Sequence, residues 1–297
     1  MSVDVVHRPV MVEEVCRWLV TNPSGVYVDA TLGGGGHALA LLSQLEVQGK
    51  LVGIDRDEEA LQRAKENLKA FLGRVMLVHS PFSKIGEILA SLGVEKVSGV
   101  LFDLGVSSFH LDRGERGFSF EKDGPLDMRM DTSQRLEASW VVNHFSEREL
   151  ADLLHRYGEE RYARRIARAI VEARKEQRIQ STQQLAQIVR GVVPRREKIH
   201  PATRTFLALR IFVNRELEEL SLALSQIPQV LEEGGRVVVL SYHSLEDRIV
   251  KRFFQDCSEL SVCTKKPLRP SQEEVVRNPR ARSARLRVAE KIQVGGV

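Results

Sequence analysis

The 297 residues, 42% hydrophobic and 28% charged, suffice for a full core and predict one large domain plus a smaller one. No apolar run approaches ~18 residues, the start Met1-Ser-Val-Asp-Val-Val-His-Arg-Pro9 lacks a signal peptide's basic and apolar regions, and Cys16, Cys257 and Cys263 have no metal-ligand spacing. No membrane span, secretory signal, bound metal or disulfide framework is therefore expected, and a cytoplasmic location is the expectation. The net charge of +4 conceals an asymmetry: residues 156–215 hold 15 Lys and Arg against 5 Asp and Glu, and residues 265–291 hold 9 against 3. Localised positive charge on an otherwise acidic chain points to a polyanionic partner, although charge runs are also common on solvated faces.

In chain order, the first hundred residues alternate between strand and helix. Strands are expected near 26–30, 51–55, 75–79 and 97–103, with helices near 37–46, 57–71 and 82–92. This βαβ series predicts a parallel sheet with its ligand site outside the carboxyl ends of the strands. The most informative segment is Asp29-Ala-Thr-Leu-Gly-Gly-Gly-Gly-His37, which lies between a short apolar strand and a helix, with Asp55 closing the next apolar run. Glycines let backbone N–H groups approach a ligand, the helix offers its positive end, and a carboxylate at Asp55 suits a ribose. Gly33-x-Gly35-x-x-Ala38 fits a dinucleotide fingerprint, while Asp29-x-Thr31-x-Gly33-x-Gly35 resembles the loop that holds S-adenosylmethionine. Asp29 separates the two readings: a carboxylate suits an amino acid's ammonium and repels a pyrophosphate. Thr31 stands where a glycine is more usual.

After Asp103 the pattern breaks into the glycine-rich Asp112-Arg-Gly-Glu-Arg-Gly-Phe-Ser-Phe-Glu-Lys-Asp-Gly-Pro125, followed by helices without strands. Residues 109–207 read as an inserted helical domain for substrate recognition, inside a domain formed by 1–108 and 208–297. Helices are expected over 146–156, 159–176 and 181–192, with Ser146 and Ser181 as N-caps and Glu149 completing a capping box. Arg161, Arg164, Arg165 and Arg168 share one side of the second of these, and Tyr162, Ile166, Ala169, Ile170 and Ala173 the other. One long helix is then expected over about 202–226, a helix stop and turn at Glu232-Glu-Gly-Gly-Arg236, and a buried strand at Val237–Tyr242. Ser244-Leu-Glu-Asp247 reads as the cap of a helix through Phe254, and two last strands fall within 261–265 and 284–289. The expected architecture is α/β: an insertion between the fourth and fifth strands and a closing pair of strands fit a Rossmann-like, class I S-adenosylmethionine-dependent methyltransferase sheet carrying an inserted small helical domain.

Several strings together resemble one family, the bacterial methyltransferases that act on N4 of a cytosine in the decoding region of 16S ribosomal RNA. They are His7-Arg-Pro-Val-Met11, Asp29 to His37, Asp103-Leu-Gly-Val-Ser-Ser108, Asp112 to Phe120, Pro125-Leu-Asp-Met-Arg-Met130 and Tyr157-Gly-Glu-Glu-Arg161. Further along come His200-Pro-Ala-Thr-Arg204, Leu209-Arg-Ile-Phe-Val-Asn-Arg215, Ser241-Tyr-His-Ser-Leu-Glu-Asp247 and Asn278-Pro-Arg-Ala-Arg-Ser283. The resemblance implies S-adenosyl-L-methionine as cofactor, the small ribosomal subunit as partner, and a homodimer as one possible assembly. It implies cofactor contacts at Gly35, Gly36, His37, Asp55, Phe82, Asp103 and His110, the last standing where many members carry glutamine. An oxidoreductase using NAD and a non-catalytic ribosome-assembly factor are the competing readings.

Methylating an exocyclic amine is a direct displacement that needs no covalent nucleophile. It does need an acceptor for the amine N–H, and Asp103 at the end of the fourth strand is the candidate catalytic residue. Amino methyltransferases of nucleic acids often carry Pro-Pro and an aromatic residue next, where this chain has Leu104-Gly-Val106. Ser107 and Ser108 are candidate replacement acceptors, and Tyr242 with His243 a candidate opposite wall. Phe118 and Phe120 are candidates to stack on the exposed base, and Arg113, Arg116, Arg129, Arg161 and Arg165 candidates to meet RNA phosphates.

Overall fold

The computed structural model describes residues 9–106, 108–194 and 199–293. The chain divides into two compact units, residues 1–105 with 217–297, and residues 106–216. His7 and Arg8 of the first family string, and Ser107, lie outside the described residues, as does the side chain of Ser108.

The first unit begins with α1 (Val12–Leu19) and then alternates β1 (Val26–Asp29), α2 (Gly36–Gln44), β2 (Lys50–Asp55), α3 (Glu58–Asn67), β3 (Val75–His79), α4 (Ile85–Ser91) and β4 (Val97–Asp103). The second unit holds α5 (Ser108–Asp112), α6 (Ala138–His144), α7 (Glu147–Gly158), α8 (Ala163–Glu176), α9 (Thr182–Val192) and α10 (Thr203–Asn214). The chain closes with α11 (Glu216–Val230), β5 (Leu231–Ser241), α12 (Ser244–Asp256), β6 (Leu260–Val262), α13 (Gln272–Arg277) and β7 (Arg285–Lys291).

The seven strands form one sheet in the order β3-β2-β1-β4-β5-β7-β6. All neighbours are parallel except β7, which runs antiparallel to both β5 and β6. Both faces are covered, so the strands read as nearly continuous apolar runs. Tyr27, Leu51, Leu101, Val238 and Leu240 join the residues of α1 and α2 in one core layer. Val28, Val52, Ile54, Val100, Phe102, Val237 and Val239 join those of α4, α11 and α12 in the other. The alternation along each strand distributes these side chains to opposite faces. Chain order reverses between β1 and β4, so a crevice is expected at their carboxyl ends. The antiparallel β7 wedged beside β5 distinguishes this sheet from the all-parallel 3-2-1-4-5-6 order of dinucleotide-binding enzymes.

Four local readings change. The helix expected over 202–226 is two helices, because Arg215 takes a left-handed backbone (φ 51°) between α10 and α11; the boundary between the units falls there. The turn expected at Glu232–Arg236 is absorbed into β5 as an irregularity: Leu231 pairs with Val97 and Arg236 with Gly99, and Gly234 (φ 74°) supplies the bend. Helix α6 was not foreseen, since seven residues give too little periodicity to register. Ser146 with Glu149, and Ser181 with Gln184, form capping boxes as anticipated in kind. The cap of α12 is instead His243 with Glu246, one residue earlier than expected.

Candidate active site

The loop after β1 is organised by hydrogen bonds to carboxylates at the strand ends. The Gly33 N–H donates to Asp55 Oδ2 (2.7 Å) while Asp57 N–H donates to Asp55 Oδ1 (2.8 Å), so Asp55 bridges the glycine loop to the start of α3. Gly35 lies in the left-handed region (φ 81°) and its N–H closes a turn onto the Leu32 carbonyl (2.8 Å). A Cβ on Gly36 would fall 2.5 Å from Pro9 Cγ. These two glycines therefore serve the turn and the docking of Pro9, a use that glycine spacing alone does not reveal. Within α2 the first intrahelical bond runs from Leu39 N–H to the Gly35 carbonyl (2.8 Å). The amides of Gly36, His37 and Ala38 precede it and form the helix's positive end, which suits a carboxylate.

Asp29 is only 1% exposed and accepts a hydrogen bond from Thr31 N–H (3.2 Å). Burial pushes its carboxyl up to about 7; His37 and the Thr31 amide pull the other way, and Asp103 and Asp55 add to the rise. It meets the loop's own backbone, which corrects the expectation that it faces a ligand ammonium. Phe82, half-buried in a short 3₁₀ turn beyond β3, lies edge-on to Phe102 with ring centroids 5.6 Å apart.

At the end of β4, Asp103 is held on three sides. Its backbone N–H donates to Thr31 Oγ1 (2.6 Å), and the Tyr242 hydroxyl donates to its Oδ1 (2.6 Å). Its Oδ2 lies 3.4 Å from His37 Nδ1, while His37 Nε2 is 2.9 Å from the Val10 carbonyl. The side chain stays 25% exposed, so an immobilised carboxylate faces outward at the strand end. Burial, together with the neighbouring Asp103 charge, raises the Tyr242 hydroxyl well above its ordinary range and keeps it a donor. Thr31 was missed as a functional residue: it tethers the β1 loop to the tip of β4, and no sequence spacing announces such a contact. His243 is corrected from a substrate wall to a helix cap. Its Nδ1 accepts from Glu246 N–H (3.4 Å), its Nε2 is 3.0 Å from Glu246 Oε1, and Glu246 Oε2 accepts from the Tyr242 amide (2.8 Å).

In the second unit most of the expected RNA contacts are structural. Arg116 is 7% exposed and donates through Nη2 to the carbonyls of Arg129 (3.1 Å) and Met130 (2.9 Å). Arg129 forms a bidentate pair with Asp127 and also donates to the Thr132 and Gln134 carbonyls. Neither guanidinium is presented to a phosphate. Phe118 belongs to the buried core with His110 lying over it at 4.8 Å, and Phe120 is packed between His200 (4.4 Å) and Phe206 (5.0 Å). These contacts replace the proposed stacking on a base; His110 is buried in the same place. Arg113 stays partly exposed, 3.7 Å from Glu115. Arg161 and Arg165 are exposed, Arg161 just ahead of α8 and Arg165 within it, while Ile166, Ala167 and Ile170 turn into the core.

A family model described as the MraW methylase family matches residues 4–292. A Caldicellulosiruptor bescii protein named Ribosomal RNA small subunit methyltransferase H is 48% identical over 305 residues, covering 96% of this chain and 99% of its own. One of the same name from Persephonella marina is 49% identical over 294 residues, covering 97% and 100%.

Proposed function

The chain belongs to the MraW methylase family, and from that premise we propose that it methylates N4 of a decoding-region cytosine in 16S ribosomal RNA. The coarser reaction, S-adenosylmethionine-dependent methylation of ribosomal RNA, goes with the family and with the seven-stranded sheet. The residues at the carboxyl ends of β1 to β4 fit that cofactor. The first-turn amides of α2 offer a cradle for its carboxylate, Asp55 an acceptor for its ribose and Phe82 a ring for its adenine. Bound there, S-adenosylmethionine supplies an electrophilic methyl group.

The observation that carries the finer reading is the fixed carboxylate of Asp103. The lone pair of an aromatic amine is delocalised into its ring, and an acceptor on the N–H favours the pyramidal geometry that the nitrogen must reach. The Tyr242 hydroxyl fixes the position of the Asp103 carboxylate before the amine arrives, and the side chain stays 25% exposed at the strand end. Preorganisation of this kind replaces the backbone carbonyls that a Pro-Pro motif would have supplied. The target base must be unstacked to enter, which fits an unpaired loop of ribosomal RNA.

The test is incubation with isotope-labelled S-adenosylmethionine and small-subunit particles, followed by nucleoside digestion. Label in N4-methylcytidine is expected. Label in another nucleoside overturns the N4 assignment, and no label with intact cofactor binding favours a non-catalytic assembly factor.

A further inference from the structure

Residues 265–282 carry Lys265, Lys266, Arg269, Arg277, Arg280 and Arg282, with Glu273 and Glu274 the carboxylates among them. All six basic side chains are exposed. Lys265, Lys266 and Arg282 make no hydrogen bond or ion pair among the described residues, whereas Arg269 reaches the Ser283 and Ala284 carbonyls (3.5 and 3.4 Å). The acidic partners do little to neutralise this surface. Glu273 lies 3.9 Å from Arg277, and Glu274 turns inward to accept from the Met11 amide (2.6 Å).

The segment is tied to the site from two directions. On one, Glu274 of α13 holds Met11, whose neighbour Val10 receives His37, the residue beside Asp103. On the other, Leu268 pairs with Leu286 of β7, and Arg285 is in register with Ser241, one residue before Tyr242 and its bond to Asp103. A positively charged strap thus borders the strand end where the amine is to be presented.

We infer that residues 265–282 form a phosphate-binding rim, which grips the RNA backbone flanking the target nucleotide while the base enters beside Asp103. The inference rests on the RNA reading above and deepens it. Exposed lysines and arginines contact phosphates as mobile cations and release condensed counterions, so their contribution is strongly salt-dependent and indifferent to base sequence.

The experiment measures binding of protein-free small-subunit ribosomal RNA as a function of salt, for the full chain and for the triple variant Lys265→Gln, Lys266→Gln, Arg282→Gln. Lys251→Gln with Arg252→Gln, two exposed basic residues on α12, is the charge control. The rim predicts that the slope of log K against log salt falls by about 2 in the triple variant, from ~0.7 per single-strand contact. S-adenosylmethionine affinity should be unchanged, KM for RNA raised, and kcat at saturating RNA retained. A slope equal to that of the unsubstituted chain, or an equal fall in the α12 control, overturns the rim. Methyl transfer is read separately: its absence from the unsubstituted protein defeats the functional reading, while the salt slope still decides whether the rim binds RNA.

Discussion

Replacing Asp29 with Asn tests the physical account of the loop most directly, because it removes a buried charge and leaves an oxygen to accept from Thr31. The Asp29 carboxyl is raised from 3.8 to about 7 in the folded chain. Folding is therefore opposed by the ionised form: the penalty is absent below about pH 4, grows through the interval between the two values, and is complete above pH 7. At 1.36 kcal/mol per unit the full difference is on the order of 4 kcal/mol, and about 2 kcal/mol of it develops between pH 5 and pH 7. The assay is urea unfolding of both proteins at half-unit pH intervals from 4 to 8. Asp29→Asn should be the more stable protein at pH 8, with the advantage shrinking as pH falls and vanishing near pH 4. A difference that stays constant over this range would refute the assignment of a raised carboxyl to Asp29, and a destabilised variant at pH 8 would show that the charge is needed by the fold.

Asp103→Ala should slow methyl transfer on the order of a hundredfold with cofactor binding retained; near-normal turnover would remove Asp103 from its role at the amine. Tyr242→Phe, which takes away one hydrogen bond to that carboxylate, should lower kcat about tenfold with little change in cofactor affinity, measured by steady-state kinetics and calorimetry. Reversing charge at Arg161 and Arg165 should weaken RNA binding and flatten its salt dependence without altering cofactor affinity, and an unchanged slope would leave α8 as a solvated face. Arg116→Ala should act on stability, costing about 2–4 kcal/mol through the two carbonyls left without a donor, with RNA affinity per folded molecule unaffected in a binding titration.

The strands and most helices were legible because their signals are local. β1 to β4 end in polar residues after apolar runs, and the caps at Ser146 and Ser181 need only three residues of context. Where a single residue's backbone decided the outcome, the pattern misled. Arg215 breaks an otherwise continuous helical period by adopting a left-handed conformation, and the glycine pair at 234–235 bends a strand where a turn was expected. The arginines show a different limit: side-chain type reports charge, but not whether the charge is already matched. Arg116 and Arg129 look like Arg161 and Arg165 in sequence, and only the fold reveals that the first pair is consumed by carbonyls and Asp127.

The same distinction orders the candidate site. Asp29, Asp55 and Asp103 occupy equivalent strand ends and differ in their surroundings. Asp29 is buried against its own loop, Asp55 divides its oxygens between the Gly33 and Asp57 amides, and Asp103 is pinned by Tyr242 yet remains partly exposed. Burial is what chiefly raises the cost of ionising Asp29, and the nearby Asp103 and Asp55 charges add to it. The tethers at Asp103 then acquire a purpose beyond stability. On the function proposed above, a carboxylate fixed by Tyr242 on one oxygen, with Thr31 holding its backbone, would meet an incoming amine without first giving up a rotamer, so binding energy would be kept for the transition state.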